Sequence, residues 1–342
     1  MTATTKPPVF IVGCPRSGTS LLYHMLLSSG AFAHFRTEMN VFNLLLPIFG
    51  DPRKIKNRTR MMNEWLQSKA FTASGLDARE IEQKVSAEGL TGGSFLRTIM
   101  DEICRRQNVD RWADSTPTNL LHIREINLAF PDACIIHVIR DGRDVALSLD
   151  RLGWVRPLPW DRDKTVLVGG LYWKWVIERG REAVRKIKPN YLEIGYENLV
   201  NQPRETITQV GGFLGLHLDL DRIQAAGVGA LREPPSSFGK WGRDRNGGKA
   251  VPAHEPDEFK PVGRWQTIFS REELASFEAL VGELLESLGY SLATKDSELN
   301  RSLAIRRARA LYPLFFDSKQ LVRSHTRLSR FFARYSAALV DK

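Results

Sequence analysis

The run Val9-Phe10-Ile11-Val12, followed by Gly13-Cys14-Pro15-Arg16-Ser17-Gly18-Thr19-Ser20, leaves few folds open to this chain. Four apolar residues in a row predict a short strand buried on both faces; a half-exposed strand would alternate apolar and polar. Leu21, Leu22, Met25 and Leu26 then recur at helical spacing until Gly30 closes the helix. A tight turn between such a strand and helix aims successive backbone N–H groups and the positive helix end at one point, which suits an anion. The G-x-x-x-x-G spacing is that of a phosphate loop, yet Thr19 stands where a nucleotide-hydrolysing loop carries its lysine. Arg16 is the loop's cation. No G-x-G-x-x-G fingerprint is present. A plain Gly/Ser turn would share the spacing; the strand–helix context and Arg16 favour anion binding.

A second unit repeats the pattern. Cys134 to Ile139 reads as a buried strand, Arg140-Asp141-Gly142-Arg143 as a turn, and Asp144 to Leu149 as a helix. Two such units predict an α/β fold: a P-loop-like three-layer arrangement with a central, mainly parallel sheet flanked by helices. Strand C-termini in such sheets point at the ligand crevice. Arg140 there offers a fork of donors suited to a phosphate, and Ser148, eight residues on, adds a hydroxyl. Arg140, Asp141, Arg143 and Asp144 also fit a surface ion-pair cluster. With Arg16 in the first loop, a ligand with two separated anionic groups is the simpler reading.

Residues 40–110 read as a mostly helical insertion, 166–187 as a buried helix, and Tyr191 to Ile194 as another strand. The Pro-, Gly- and charge-rich stretch 232–262 reads as a long, lid-like loop. Ser270 and Glu273 have capping-box spacing ahead of an amphipathic helix that Gly289 ends. The three cysteines are too few for a disulfide framework and lack metal-ligand spacing. No metal site is expected. The N-terminal stretch has no basic segment followed by an apolar one, and no run reaches the length of a membrane span. A cytoplasmic protein fits these features.

Together the loop Pro15-Arg16-Ser17-Gly18-Thr19-Ser20 and the segment Val138 to Ser148 resemble the PAPS-dependent sulfotransferases, where PAPS is 3'-phosphoadenosine 5'-phosphosulfate. The arginine-bearing loop is most similar to the bacterial group and, distantly, to the tyrosylprotein sulfotransferases. Tyr196-Glu197-Asn198-Leu199 and Gly263-Arg264-Trp265 resemble two further landmarks of the family. The resemblance implies that Arg16, Ser17, Gly18, Thr19 and Ser20 cradle the 5'-phosphosulfate of PAPS. It implies that Arg140 and Ser148 bind the 3'-phosphate, with Tyr196 and Arg264 in support. The implied reaction moves a sulfuryl group from PAPS to a hydroxyl of a small-molecule, carbohydrate or glycolipid acceptor. Arg16 would stabilise charge on the leaving phosphate.

An acceptor hydroxyl needs a base. Glu38 matches the position of the tyrosylprotein enzymes' catalytic Glu, and His34 is the other candidate. His137, inside a strand, reads as core. Asn40 stands where those enzymes carry Arg, and Ser115, in Ala113-Asp114-Ser115-Thr116-Pro117, where many relatives carry Lys. Both departures point away from a tyrosine-peptide acceptor. They leave Ser236, Ser237 and Arg264 as candidates to assist transfer. Two other functions stay open: a P-loop-type nucleotide kinase or hydrolase, and a non-catalytic membrane-docking protein with a vestigial nucleotide site.

Charge sharpens the division of the chain. The net charge is +10, and Lys295 to Lys342 hold 11 Lys/Arg against 4 Asp/Glu, or +7 of it. Residues 1–294 therefore read as the sulfotransferase domain and 295–342 as a basic helical C-terminal extension. Its apolar residues, before and after Pro313, lie at near-helical spacing among arginines. Such a segment packs on the body or on another copy, or docks on an anionic membrane surface. No nucleic-acid motif accompanies the charge.

Overall fold

The computed structural model describes residues 6–86, 90–226, 261–294 and 302–325. Four strands form one parallel sheet in the order β2-β1-β3-β4. They are β1 (Val9–Val12), β2 (Ala113–Asp114), β3 (Cys134–Ile139) and β4 (Asn190–Gly195). β1 pairs with β3 from Val9 opposite Cys134 to Val12 opposite His137. β2 pairs with β1 through two residues only, Ala113 opposite Val9 and Asp114 opposite Phe10. A strand that short carries no periodicity, which is why the sequence gives no sign of it.

The described helices are α1 (Thr19–Ser28), α2 (Leu46–Phe49), α3 (Ile55–Leu66), α4 (Lys69–Ser74), α5 (Ala78–Val85), α6 (Gly92–Gln107), α7 (Ile123–Ala129) and α8 (Gly142–Arg151). They continue with α9 (Thr165–Ile187), α10 (Tyr196–Asn201), α11 (Pro203–Leu214), α12 (Leu220–Ala225), α13 (Trp265–Ile268), α14 (Arg271–Ser287) and α15 (Leu303–His325). The stretch read as a helical insertion contains α2 to α6, preceded by a π-helical turn at Val41–Leu45.

Every residue of β1 and β3 is buried, and their side chains alternate between two cores. Val9, Ile11, Ile136 and Val138 pack with Leu22 and Leu26 of α1 and Val210 of α11. Phe10, Val12, Ile135 and Ile139 pack on the other face with Trp173 and Val176 of α9 and Phe277 of α14. Burying each such side chain contributes about 1.5–3 kcal/mol. Continuous apolar strands thus favour a sheet covered on both sides over one with a wet face. The chain leaves β1 toward β2 on one side and returns to β3 on the other. The carboxyl ends of β1 and β3 therefore flank a topological switch, where α/β sheets open a crevice.

α14 begins with the capping box read from the sequence: Glu273 N–H donates to Ser270 Oγ at 3.2 Å, and Ser270 N–H to Glu273 Oε2 at 3.0 Å. α15 packs on α9, α14 and α2, burying Ile305, Tyr312 and Phe316. It runs on through Pro313. Packing explains this: Tyr312, Phe315 and Phe316 form one aromatic cluster across the proline. Most of the loop expected at 232–262, including Ser236 and Ser237, lies outside the described residues, as does the basic stretch 326–342. Among the described residues no helix is long and apolar enough to cross a membrane.

Candidate active site

The first loop leaves β1 at the switch. Its backbone is shaped by two left-handed residues, Arg16 at φ 75° and Gly18 at φ 92°. At Gly18 a side chain is excluded twice over: by its φ, and by Tyr196, whose ring atom would lie 2.1 Å from an added Cβ. Arg16 adopts the same region with a Cβ, a strain of order 1–3 kcal/mol that the surrounding contacts hold in place. Its Nε donates to Ser148 Oγ at 3.0 Å, and its carbonyl accepts from Arg140 Nη1 at 3.1 Å. The two loops singled out in the sequence, 124 residues apart, are thus joined directly.

Arg140 follows β3 and is buried. Nη2 donates to the Pro261 carbonyl at 2.6 Å, and the guanidinium stacks 4.5 Å from the Tyr196 ring centre. Among the described residues its Nε has no partner, nor has the fully buried Ser17 Oγ in the loop. Such orphaned donors are uncommon in folded proteins and mark a place where a ligand or ion completes the bonding. Burial, then the charges of Arg140 and Arg151, push the Arg16 guanidinium below its ordinary range. Arg264 is pushed the same way by burial and by Arg151 and Arg140, with Asp144 opposing. An anion at this point would relieve four arginines at once. Arg151 escaped the sequence reading; lying three residues past Ser148, one turn along α8, it is the signal that could have found it.

The other charges of the second motif are occupied. Arg143 forks onto Asp141 (Nη2 to Oδ2, 2.8 Å), donates to Glu278 at 2.8 Å and lies 3.7 Å from the Trp265 ring centre. Asp144 accepts from the backbone N–H groups of Gly263 (2.8 Å) and Trp265 (3.0 Å), which ties the Gly263-Arg264-Trp265 segment beside Arg140. Both readings of this motif therefore apply to different residues. Arg143 and Asp141 form a buried ion cluster, and Arg140 faces the first loop.

Glu38 reaches the crevice by another route. Tyr23 of α1 donates to the Phe35 carbonyl, and Ala33 N–H donates to the Arg111 carbonyl at 2.9 Å, so residues 33–39 run beside β2. Buried Asp114 ends β2 and accepts from Thr116 N–H (3.1 Å), Thr116 Oγ1 (3.1 Å), Asn119 Nδ2 (2.9 Å) and Met39 N–H. Glu38 has solvent-exposed surface yet protein crowds it on its other sides, the situation of a group in a crevice. That crowding and the neighbouring Asp114 push its carboxyl up to about 7, while the Asn40 amide pulls it down. Asn40 is left-handed (φ 52°), and its Nδ2 bonds back to the Glu38 carbonyl at 3.3 Å. Ser115 Oγ and Asn43 Oδ1 are buried here without partners among the described residues. The Pro117 carbonyl accepts from Gly13 N–H at 3.0 Å, so this wall adjoins the first loop. His34 lies in the same segment with an exposed side chain, its backbone clamped by Gln107.

His137 is fully buried, with Nδ1 2.6 Å from Tyr191 Oη, which places it in the core. A hollow of about 350 Å3 lined by Thr208, Gly211, His217 and Leu218 lies at the other end of the sheet. There Arg111 bonds the Leu214 and Pro7 carbonyls and Cys134 Sγ, beside the strand starts. Among the described residues no Lys, Arg, Asp or Glu lines that hollow. Among the described residues no His, Cys, Asp and Glu side chains group closely enough to hold a metal ion.

A family model described as "Sulfotransferase family" matches residues 7–220, from β1 to the start of α12 and so through both loops. The chain is a member of the sulfotransferase family. Two solved structures share the fold of this sulfotransferase. One is the sulfotransferase domain of the Synechococcus PCC 7002 olefin synthase, at 19% identity and TM-score 0.50, covering 85% of this chain and 98% of that one. The other is the sulfotransferase domain from the curacin biosynthetic pathway, at 17% identity and TM-score 0.50, covering 84% and 99%. No curated protein sequence matches it.

Proposed function

We propose that this sulfotransferase takes its sulfuryl group from PAPS and passes it to a hydroxyl of a small-molecule, carbohydrate or glycolipid acceptor. The observation that carries the reading is the junction of the two loops. Arg16, Arg140 and Ser148 meet there, with Ser17 Oγ and Arg140 Nε buried and unpaired. That donor set suits a nucleotide with two separated anionic groups. Bound PAPS supplies the sulfuryl group and leaves as adenosine 3',5'-bisphosphate.

In this reading the α1 N-terminus, Arg16, Ser17, Gly18, Thr19 and Ser20 hold the 5'-phosphosulfate. Arg140, Ser148, Arg264 and Arg151 hold the 3'-phosphate, and Tyr196 flanks the nucleoside. Glu38 accepts the acceptor's hydroxyl proton as the oxygen attacks sulfur and the bond from sulfur to the 5'-phosphate oxygen breaks. Arg16 and the loop N–H groups take up the charge that develops on that oxygen. A carboxyl near neutrality suits this task, since a base works best close to the operating pH. His34 is the alternative base in the same segment.

The test is transfer of label from [35S]-PAPS to cell-extract components, with Glu38→Ala as control. Labelled products with the wild type and none with the variant are expected. Calorimetric binding of adenosine 3',5'-bisphosphate should accompany them. No bisphosphate binding, or equal labelling by both proteins, would remove the proposal.

A further inference from the structure

The helix α15 buries one side and leaves the other bare. Ile305, Tyr312 and Phe316 form its packing face, with Phe316 stacked on Tyr172 (5.4 Å between ring centres) and Trp175 (5.5 Å) of α9. Leu303, Leu314 and Leu321 lie on the opposite side and are 83%, 64% and 60% exposed. Their spacings correspond to three turns and two turns, so they form one line about 27 Å long. A surface helix ordinarily puts polar residues on that side. Single exposed leucines are common, but a line of them marks an interaction surface.

A loop sets another large apolar group beside this line. Tyr312 Oη donates to Asp161 Oδ2 at 2.9 Å and accepts from Leu158 N–H at 3.3 Å, which ties the turn Pro159–Asp161 to α15. Trp160 in that turn is 60% exposed, and the Arg307 guanidinium lies 5.9 Å from its ring centre. Arg307 stands one turn past Leu303 and two turns before Leu314, hence on their side of the helix. Its neighbour Arg306 is exposed as well.

Charge selects what this face meets. From Leu303 to His325 the helix holds five Lys/Arg and a single carboxylate, Asp317. Asp317 accepts from Trp175 Nε1 at 2.9 Å and Arg179 Nε at 3.0 Å, so the body takes up the helix's negative charge. A second copy docked on the same face would set arginines against arginines. An anionic bilayer attracts them at its headgroups, and takes leucine and tryptophan side chains at the acyl boundary.

We infer that the outer face of α15, together with Trp160, docks the protein on an anionic lipid bilayer. Leu303, Leu314, Leu321 and Trp160 enter the interface, and Arg306 and Arg307 pair with headgroup phosphates. This docking does not depend on the donor or the acceptor proposed above.

The full-length protein is sedimented with vesicles of equimolar phosphatidylglycerol and phosphatidylcholine, and with vesicles of phosphatidylcholine alone. Pelleting with the first and not with the second is expected. Leu314→Gln/Trp160→Ala changes two exposed positions and should weaken partitioning on the order of tenfold with Tm unchanged. Arg306→Gln/Arg307→Gln should also weaken it, and added salt should reproduce that loss in the wild type. Should the apolar double variant melt early, Trp160→Phe gives an independent reading. Bromine-labelled phosphatidylglycerol should then quench the tryptophan emission of the wild type more than that of Trp160→Phe; equal quenching overturns the docking. No pelleting of the wild type also overturns it, as does equal pelleting of wild type and the apolar double variant, which leaves charge as the sole cause. A dimer in the ultracentrifuge that the double variant loses, without vesicle binding, assigns the face to a second copy and overturns it as well.

Discussion

The two walls of the crevice are built in different ways. The loop wall comes from two continuous stretches, residues 13–20 and 138–148, each a strand end running into a helix, and they meet through one side-chain bond and one bond from Arg140 to the Arg16 carbonyl. The Glu38 wall comes from separated pieces: residues 33–43 and Asp114 to His122, with Gln320 of α15 set against His122. A wall made of local turns keeps its geometry wherever strand and helix form. A wall made of pieces depends on long-range packing, and its chemistry can change with any one piece.

The largest effect should come from the second wall. Glu38→Gln is expected to lower kcat by about 10^2–10^4, the range for loss of a positioned base, with unchanged affinity for adenosine 3',5'-bisphosphate. A parallel fall in nucleotide affinity would show that the walls are not separable. Next, Arg16→Ala removes charged hydrogen bonds of about 1.5–3 kcal/mol each and should weaken bisphosphate binding on the order of ten- to a hundredfold by calorimetry. Arg140→Lys should also weaken it, because an ammonium cannot reproduce the fork.

Phe316→Ala tests the dependence on packing. Truncating a buried Phe costs about 3–5 kcal/mol, so hydrogen exchange of α15 should accelerate while bisphosphate affinity holds. The smallest effect concerns pH. In the proposed role Glu38 acts only when ionised, so kcat/KM should fall as pH drops through about 7. Because Asp114 raises that carboxyl, Asp114→Asn should move the fall to lower pH, read from the acid limb of the profile. A limb that stays put would separate Asp114 from Glu38.

How much was legible follows the same division. The apolar runs of β1 and β3, the helix spacing after each loop, and the capping box of α14 were visible because their causes lie within a few residues. Arg16, Arg140 and Ser148 were visible as motif residues for the same reason. β2, the bond between Asp114 and the backbone beside Glu38, and the approach of Arg323 to Tyr172 left no local pattern. The charge count located the excess in the last 48 residues but could not say where a helix would carry it.

By itself, then, the sequence determined a parallel sheet covered on both faces and a turn at a strand end whose geometry suits an anion. Hydrophobic periodicity and backbone N–H geometry are local properties of a chain. Tertiary structure decided which arginines converge, leaving Arg140 facing the loop while Arg143 is absorbed by Asp141 and Glu278. It also decided what environment Glu38 meets and where α15 sets its cations. Electrostatic environment depends on distance through space, and residues 38 and 114 become neighbours of the same crevice only when the chain has folded.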